Sequence, residues 1–268
     1  MFAWLKRRRR EALRRRPFPP AWQAIIQKNV PYVARLPAAD QAELLRDVQV
    51  FVAEKHFEGC NGLQLTDEIR VTIAAQACIL LLHRETDDYP GLDSILVYPS
   101  AYLAPNSRRL PGGVMDDSPQ ARLGESWTRG VVVLAWDSVL SGAADIHDGH
   151  NVVLHEFAHQ LDFLDGLIDG TPPLRDAEQY REWHRVMTAE FDRLRADVGQ
   201  GLATVLDAYG ATNPAEFFAV VTETFFEKPR QLRAKHPELY QQLQAFYRQD
   251  PAALEGAPTP TLGSGLEG

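Results

Sequence analysis

The stretch that most constrains this chain is His155-Glu-Phe-Ala-His159, an H-E-x-x-H pattern inside the apolar run Val152 to Leu164. At about 100° per residue, positions four apart sit roughly 40° apart on a helix. Both imidazoles can then meet one ion from one face, with Glu156 beside them in reach of a water on that ion. Zinc hydrolases use this spacing because it supplies two neutral nitrogen ligands and a base that is not itself a ligand. Two histidines on a surface helix would give the same pattern by chance. Val152, Val153, Leu154, Phe157, Ala158 and Leu161 argue instead for a buried helix, where an imidazole or carboxylate needs a partner.

The rest of the chain is compatible with a globular enzyme. Its 268 residues suffice for one large core, and 45% hydrophobic with 24% charged residues is ordinary. Two cysteines, Cys60 and Cys78, do not make a disulfide framework and read as small buried hydrophobes in a reducing compartment. No apolar stretch reaches the roughly 18 residues of a membrane span. The expected location is the cytoplasm.

Charge is uneven. Residues 1–16 carry eight Lys/Arg and one acid, Glu11, against 20 basic and 35 acidic residues in the remainder. Such an arm on an acidic body can touch nucleic acid or anionic lipid, but reads first as a solvated tail, and nucleic acid is not the expected partner. Pro17-Phe-Pro-Pro20 follows the arginines where a signal peptide would need an apolar segment. The expected organisation is a flexible basic arm over 1–19, one domain over 20–250, and a disordered tail over 251–268.

Periodicity predicts helices over 21–30, 38–54, 67–82 (Thr66 as N-cap), the motif run, 176–198, 213–227 and 237–247. Ser94–Tyr98 and Gly130–Trp136 read as strands; residues 57–63 read as a break, 104–124 as a loop and the segment around Gly142 and Gly149 as a polar connection. The fold class is α+β, mainly helical, with a small sheet beside the motif helix.

The third ligand has several candidates. Glu216 opens a second helix, where Asn213, Pro214 and Glu216 also spell a capping box. Glu223, seven residues on, shares its face as a rival ligand or as a partner that orients a histidine. Asp165 sits where a metzincin places its ligand, but Asp162 replaces the glycine that such a chain turn needs, and no methionine follows at a suitable turn. Asp162 shares the histidines' face and could orient one of them. His147 and His150 lie in a polar turn. Tyr209 is a candidate oxyanion stabiliser or an ordinary packed tyrosine.

His155-Glu-Phe-Ala-His-Gln-Leu-Asp162, Asp207-Ala-Tyr-Gly-Ala-Thr-Asn-Pro-Ala-Glu-Phe-Phe-Ala-Val220 and Thr224-Phe-Phe226 resemble the Mlc titration factor A family of zinc peptidases. So do Phe57-Glu-Gly-Cys60, Ile95-Leu-Val-Tyr-Pro99 and Gly124-Glu-Ser-Trp127. That family looks related to the catalytic domain of anthrax lethal factor, a gluzincin. The resemblance covers roughly residues 20–250. It implies a zincin-like fold, one zinc on His155, His159 and Glu216, Glu156 as base, and aminopeptidase-type hydrolysis of short peptides. It also implies binding and inactivation of the transcriptional repressor Mlc, and hence control of glucose phosphotransferase expression. The other class of function is a non-enzymatic regulator that sequesters the repressor around a mainly structural zinc. Some family members carry a zinc-capping histidine before the Gly-x-Ser-Trp segment. Here Asp116 or Asp117 stands there, and no histidine lies between His83 and His147, so a capped resting state is not expected.

Overall fold

The computed structural model describes residues 2–84, 89–100, 108–109, 115–116 and 130–254. The Gly124–Trp127 segment, Asp117 and most of the 104–124 loop lie outside the described residues; Asp116 belongs to a two-residue strand. The helices, in chain order, are α1 (Phe2–Arg14), α2 (Pro20–Asn29), α3 (Ala38–Glu54), α4 (Asp67–Ile79), α5 (Trp136–Ala144) and α6 (Val152–Asp162). They continue with α7 (Ala177–Gly199), α8 (Pro214–Glu227), α9 (Pro229–Lys235), α10 (Pro237–Tyr247) and α11 (Pro251–Leu254). Strands β1 (His56–Gly59), β2 (Ser94–Tyr98) and β5 (Val131–Ala135) form one all-parallel sheet in the order β1-β2-β5. Strands β3 (Arg108–Arg109) and β4 (Met115–Asp116) pair antiparallel as a separate ribbon. The molecule is thus mainly helical with a small sheet, as the periodicity predicts.

The seven expected helices form within a few residues of their expected ends. Thr66 caps α4 by accepting from the Ile69 N–H. Other elements differ from expectation: α9 forms where no helix is expected, and β3 and β4 lie within the expected 104–124 loop. The Phe57–Leu63 break contains β1, whose last residue, Gly59, lies so close to the Leu63 carbonyl that a side chain there would collide with it. The polar connection is α5, which leaves the end of β5 directly. The arm expected to be flexible is α1, because Arg10 forms a two-pronged pair with Glu54 of α3 at 2.8 and 2.6 Å and Arg14 reaches Asp47. The tail expected to be disordered begins with α11, where Pro251 and Ala252 are buried; residues 255–268 lie outside the described residues.

Two aromatic clusters hold the elements that matter for the site. On α6, Phe157 packs against Tyr89 and α3's Phe51, with centroids 4.8 and 5.7 Å apart. On α8, Phe218 and Phe225 pack against Trp183 of α7 and Tyr247 of α10. Each anchor is fully buried, so rotating either helix about its axis would expose an aromatic ring. The polar faces of α6 and α8 are thereby turned toward each other.

Candidate metal centre

The motif helix begins on a polar knot. Asn151 caps α6 by accepting from the N–H groups of Val153 and Leu154 at 3.1 and 3.0 Å. Its amide donates to Gln76 of α4, the Gly142 carbonyl of α5 and Glu227 of α8. Its backbone N–H donates to Glu223. Four helices therefore meet at one buried side chain, which sets where α6 starts relative to α8.

Glu223 uses its other oxygen on His155, accepting from Nδ1 at 2.7 Å. That leaves His155 Nε2 turned inward. It lies 3.0 Å from Glu216 Oε2 and 3.2 Å from His159 Nε2, and Glu216 Oε2 is 3.5 Å from the same His159 nitrogen. Among the described residues, His155, His159 and Glu216 are the metal-ligating set whose donor atoms all lie within 4.8 Å of one another. Only half of the capping box forms: Asn213 accepts from the Glu216 N–H at 3.0 Å, while the Glu216 carboxylate turns to the histidines. Burial works against charging His155, but hydrogen bonds to Glu216 and Glu223 outweigh it and raise its pKa to about 10. Burial, which the hydrogen bond to Glu216 only partly offsets, lowers His159 to about 4. Burial would raise Glu216, but the two imidazoles pull it down to about 2.

Glu156 is the outlier. It is 1% exposed, and among the described residues neither carboxylate oxygen has a hydrogen-bond partner. Burial first, then the charges of Glu216 and Glu223, push its pKa up to about 8. Such an orphaned buried acid costs stability unless a cation or a water is meant to meet it. Two imidazole nitrogens, one carboxylate and an adjacent unpartnered acid fit a divalent metal of the zinc type. A cleft of about 370 Å³ opens onto His155 and Glu156 of this group. Its lining includes His155, Glu156, Tyr209, His150, Ser138 and Asp207.

Tyr209 sits on a short 3-10 turn, Ala208–Ala211, that Asp207 caps by accepting from the Tyr209 N–H. Its ring centroid is 6.0 Å from that of His155 and its side chain is half exposed to the cleft. Burial, the charges of Glu216 and Glu156, and a hydrogen bond to Glu216 raise its phenol to about 12.

The remaining candidates fall elsewhere. Asp165 is exposed and accepts from the Leu167 N–H. Asp162, expected to orient a histidine, accepts instead from the Gly170 N–H at 2.8 Å and pins the loop after α6. Gly170 has φ +79° and backs onto the Pro214 carbonyl so closely that no side chain fits. This contact seats the start of α8, and so Glu216, against α6. His147 and His150 stay in their turn, with His150 at the cleft rim 3.7 Å from Asp207. Ser138 carries no sequence signal for the cleft, and Asp207 only its place at the head of the Asp207–Val220 motif; the packing of α5 and the 3-10 turn brings them there.

The helical fold and the donor cluster together define a protein built around a candidate metal site. Residues 3–248 match the model of the glucose-regulated metallo-peptidase M90 family. A protein of Synechocystis sp. described as uncharacterized protein slr2042 is 45% identical over 249 residues, 92% of this chain and 90% of its own. The Mlc titration factor A of Serratia proteamaculans is 32% identical over 238 residues, covering 87% of this chain and 88% of its own. That of Klebsiella pneumoniae is 32% identical over 232 residues, covering 84% of each chain. This chain belongs to the M90 metallopeptidase family.

Proposed function

We propose that this protein is a zinc-dependent peptidase of the gluzincin type, with His155, His159 and Glu216 as ligands and Glu156 as base. The observation that carries this reading is the convergence of the three donors beside the orphaned Glu156 carboxylate. Zinc held there supplies Lewis acidity to a water and to the scissile carbonyl. Glu156, beside the three ligands, would hold and move the proton, taking it from the attacking water and passing it to the departing amine. Glu223 fixes the His155 ring through Nδ1. Tyr209, half exposed to the cleft beside His155 and protonated at neutral pH like any phenol, would donate a hydrogen bond to the developing oxyanion. Short peptides cleaved in aminopeptidase fashion are the substrate class that the family resemblance suggests, and the cleft beside His155 and Glu156 is where they would lie.

The names of the 32% identical relatives support a second role on the same chain, binding and titrating an Mlc-like transcriptional repressor in the cytoplasm. Among the described residues no helix is long and apolar enough to cross a membrane. The deciding experiment measures zinc content and aminoacyl-anilide hydrolysis together, on wild type, Glu156→Gln and Glu216→Ala. One zinc per chain, lost in Glu216→Ala, with turnover lost in both variants, is the expected result. Bound zinc without turnover of any substrate would shift the function to repressor sequestration around a structural metal.

A further inference from the structure

Helix α1 is built inside out. A surface helix normally turns its apolar side to the body and its charges to water. Here the body-facing side chains are Arg10, buried against Glu54, and Arg14, paired with Asp47 at the edge of α3. At about 100° per residue, Trp4, Leu5, Arg8 and Ala12 fall on the opposite arc. Trp4 and Leu5 are adjacent and 50% and 51% exposed; Leu5 borders a cleft shared with Glu54, Lys55 and Leu92 but keeps half its surface open. The Arg8 guanidinium lies over the Trp4 ring at 4.7 Å, and Arg7, Arg9, Arg15 and Arg16 are exposed around them.

We propose that the outer face of α1 docks on an anionic lipid surface. Charge selects the orientation. Residues 1–16 have eight basic groups and one acid, whereas the remaining 35 acids and 20 bases repel such a surface. The α1 end is therefore the part whose local charge favours approach. The apolar pair selects lipid over nucleic acid. A phosphate backbone satisfies arginines but has no place for an exposed Trp-Leu step, whereas a headgroup layer takes an indole and an isobutyl group at its hydrocarbon boundary. The two ion pairs to α3 hold the helix so that this face stays outward while docked. Docking needs neither the metal nor Glu156.

The test is sedimentation of the full chain with vesicles of phosphatidylcholine alone or mixed with phosphatidylserine, at rising sodium chloride. Wild type and Glu156→Gln should pellet equally with the phosphatidylserine vesicles, less as salt rises, and not with phosphatidylcholine alone. Each basic residue near an anionic surface is worth about five-fold in partitioning, so Arg8→Glu/Arg9→Glu should lower it at least about twenty-fold. Trp4→Ala/Leu5→Ala should lower it about ten-fold while leaving the unfolding temperature and metal content unchanged. A blue shift of indole emission on vesicle binding, absent in Trp4→Phe, would place Trp4 in the interface. Failure to pellet with phosphatidylserine overturns the proposal, as does pelleting that Trp4→Ala/Leu5→Ala leaves unchanged. Retention on duplex DNA without vesicle binding also overturns it and assigns the helix to phosphate backbone.

Discussion

The α6–α8 contact and the α1–α3 contact both join two helices through charged side chains, and they work in opposite ways. Between α6 and α8 the charges are enclosed, and the surrounding framework is aromatic. Removing one charge there leaves its partner stranded in a medium that cannot solvate it. Between α1 and α3 the charges are themselves the contact. The Arg14–Asp47 pair lies at the edge of the body, where water reaches Arg14, while Arg10 and Glu54 are largely covered by the contact they make. The first arrangement brings His155, His159 and Glu216 together in one cluster. The second attaches a whole element that the core does not need.

Four experiments sharpen or break that contrast. The largest effect is expected at Glu156. Glu156→Gln keeps the shape and the metal ligands but removes the base, and should cut turnover by at least about a thousand-fold with zinc content unchanged. Full activity in that variant would remove Glu156 from the reaction. Next is Glu223, which touches His155 on the nitrogen away from the cluster. Glu223→Gln should weaken zinc affinity about 10- to 100-fold, read by chelator competition, while stoichiometry at saturating zinc stays at one. Loss of all zinc at saturation would mean that Glu223 is itself a ligand.

The effects at the other contact are smaller. Arg10→Ala leaves the mostly covered Glu54 carboxylate without its two-pronged partner, and should cost about 2–3 kcal/mol in thermal or denaturant unfolding and raise amide exchange in α1. Peptidase activity should not change. A loss of activity would show that α1 is coupled to the site after all. The smallest effect is on pH. Burial works to raise the Glu54 pKa, but the hydrogen bond and charge of Arg10 outweigh it and hold the carboxyl below its ordinary value. A group depressed in this way contributes stability above its unfolded pKa and loses it as pH falls through the folded value. Protection of α1 amides should therefore fade on acidification below the ordinary carboxylate range, and Arg10→Ala should abolish that dependence.

Legibility in the sequence followed the same division. Helices with a regular apolar stripe, such as α3 and α7, were readable because their burial is periodic. β1 was not, because four residues ending at a close-packed glycine have no period of their own and become a strand only by pairing with β2. α5 was hidden because it starts on the last residue of a strand with no capping side chain. α1 looked like a solvated arm because the acids that pair with Arg10 and Arg14 lie 44 and 33 residues away. Asp162 was misjudged because its face on α6 was visible but its partner, the Gly170 N–H, belongs to a loop with no periodic signal.

At the centre of the molecule, the sequence alone determined that His155 and His159 share a face with Glu156 beside them. Helix geometry makes that a local property. It also narrowed the third acid to a few candidates, with Glu216 and Glu223 together on one face of α8. Tertiary structure decided how those two divide the work. The Asn151 knot and the Gly170–Pro214 contact set how α8 lies across α6, and that setting delivers Glu216 to one nitrogen of His155 and Glu223 to the other. Residues seven apart on one helix are equivalent by periodicity, and only a second helix packed at a definite height can tell them apart.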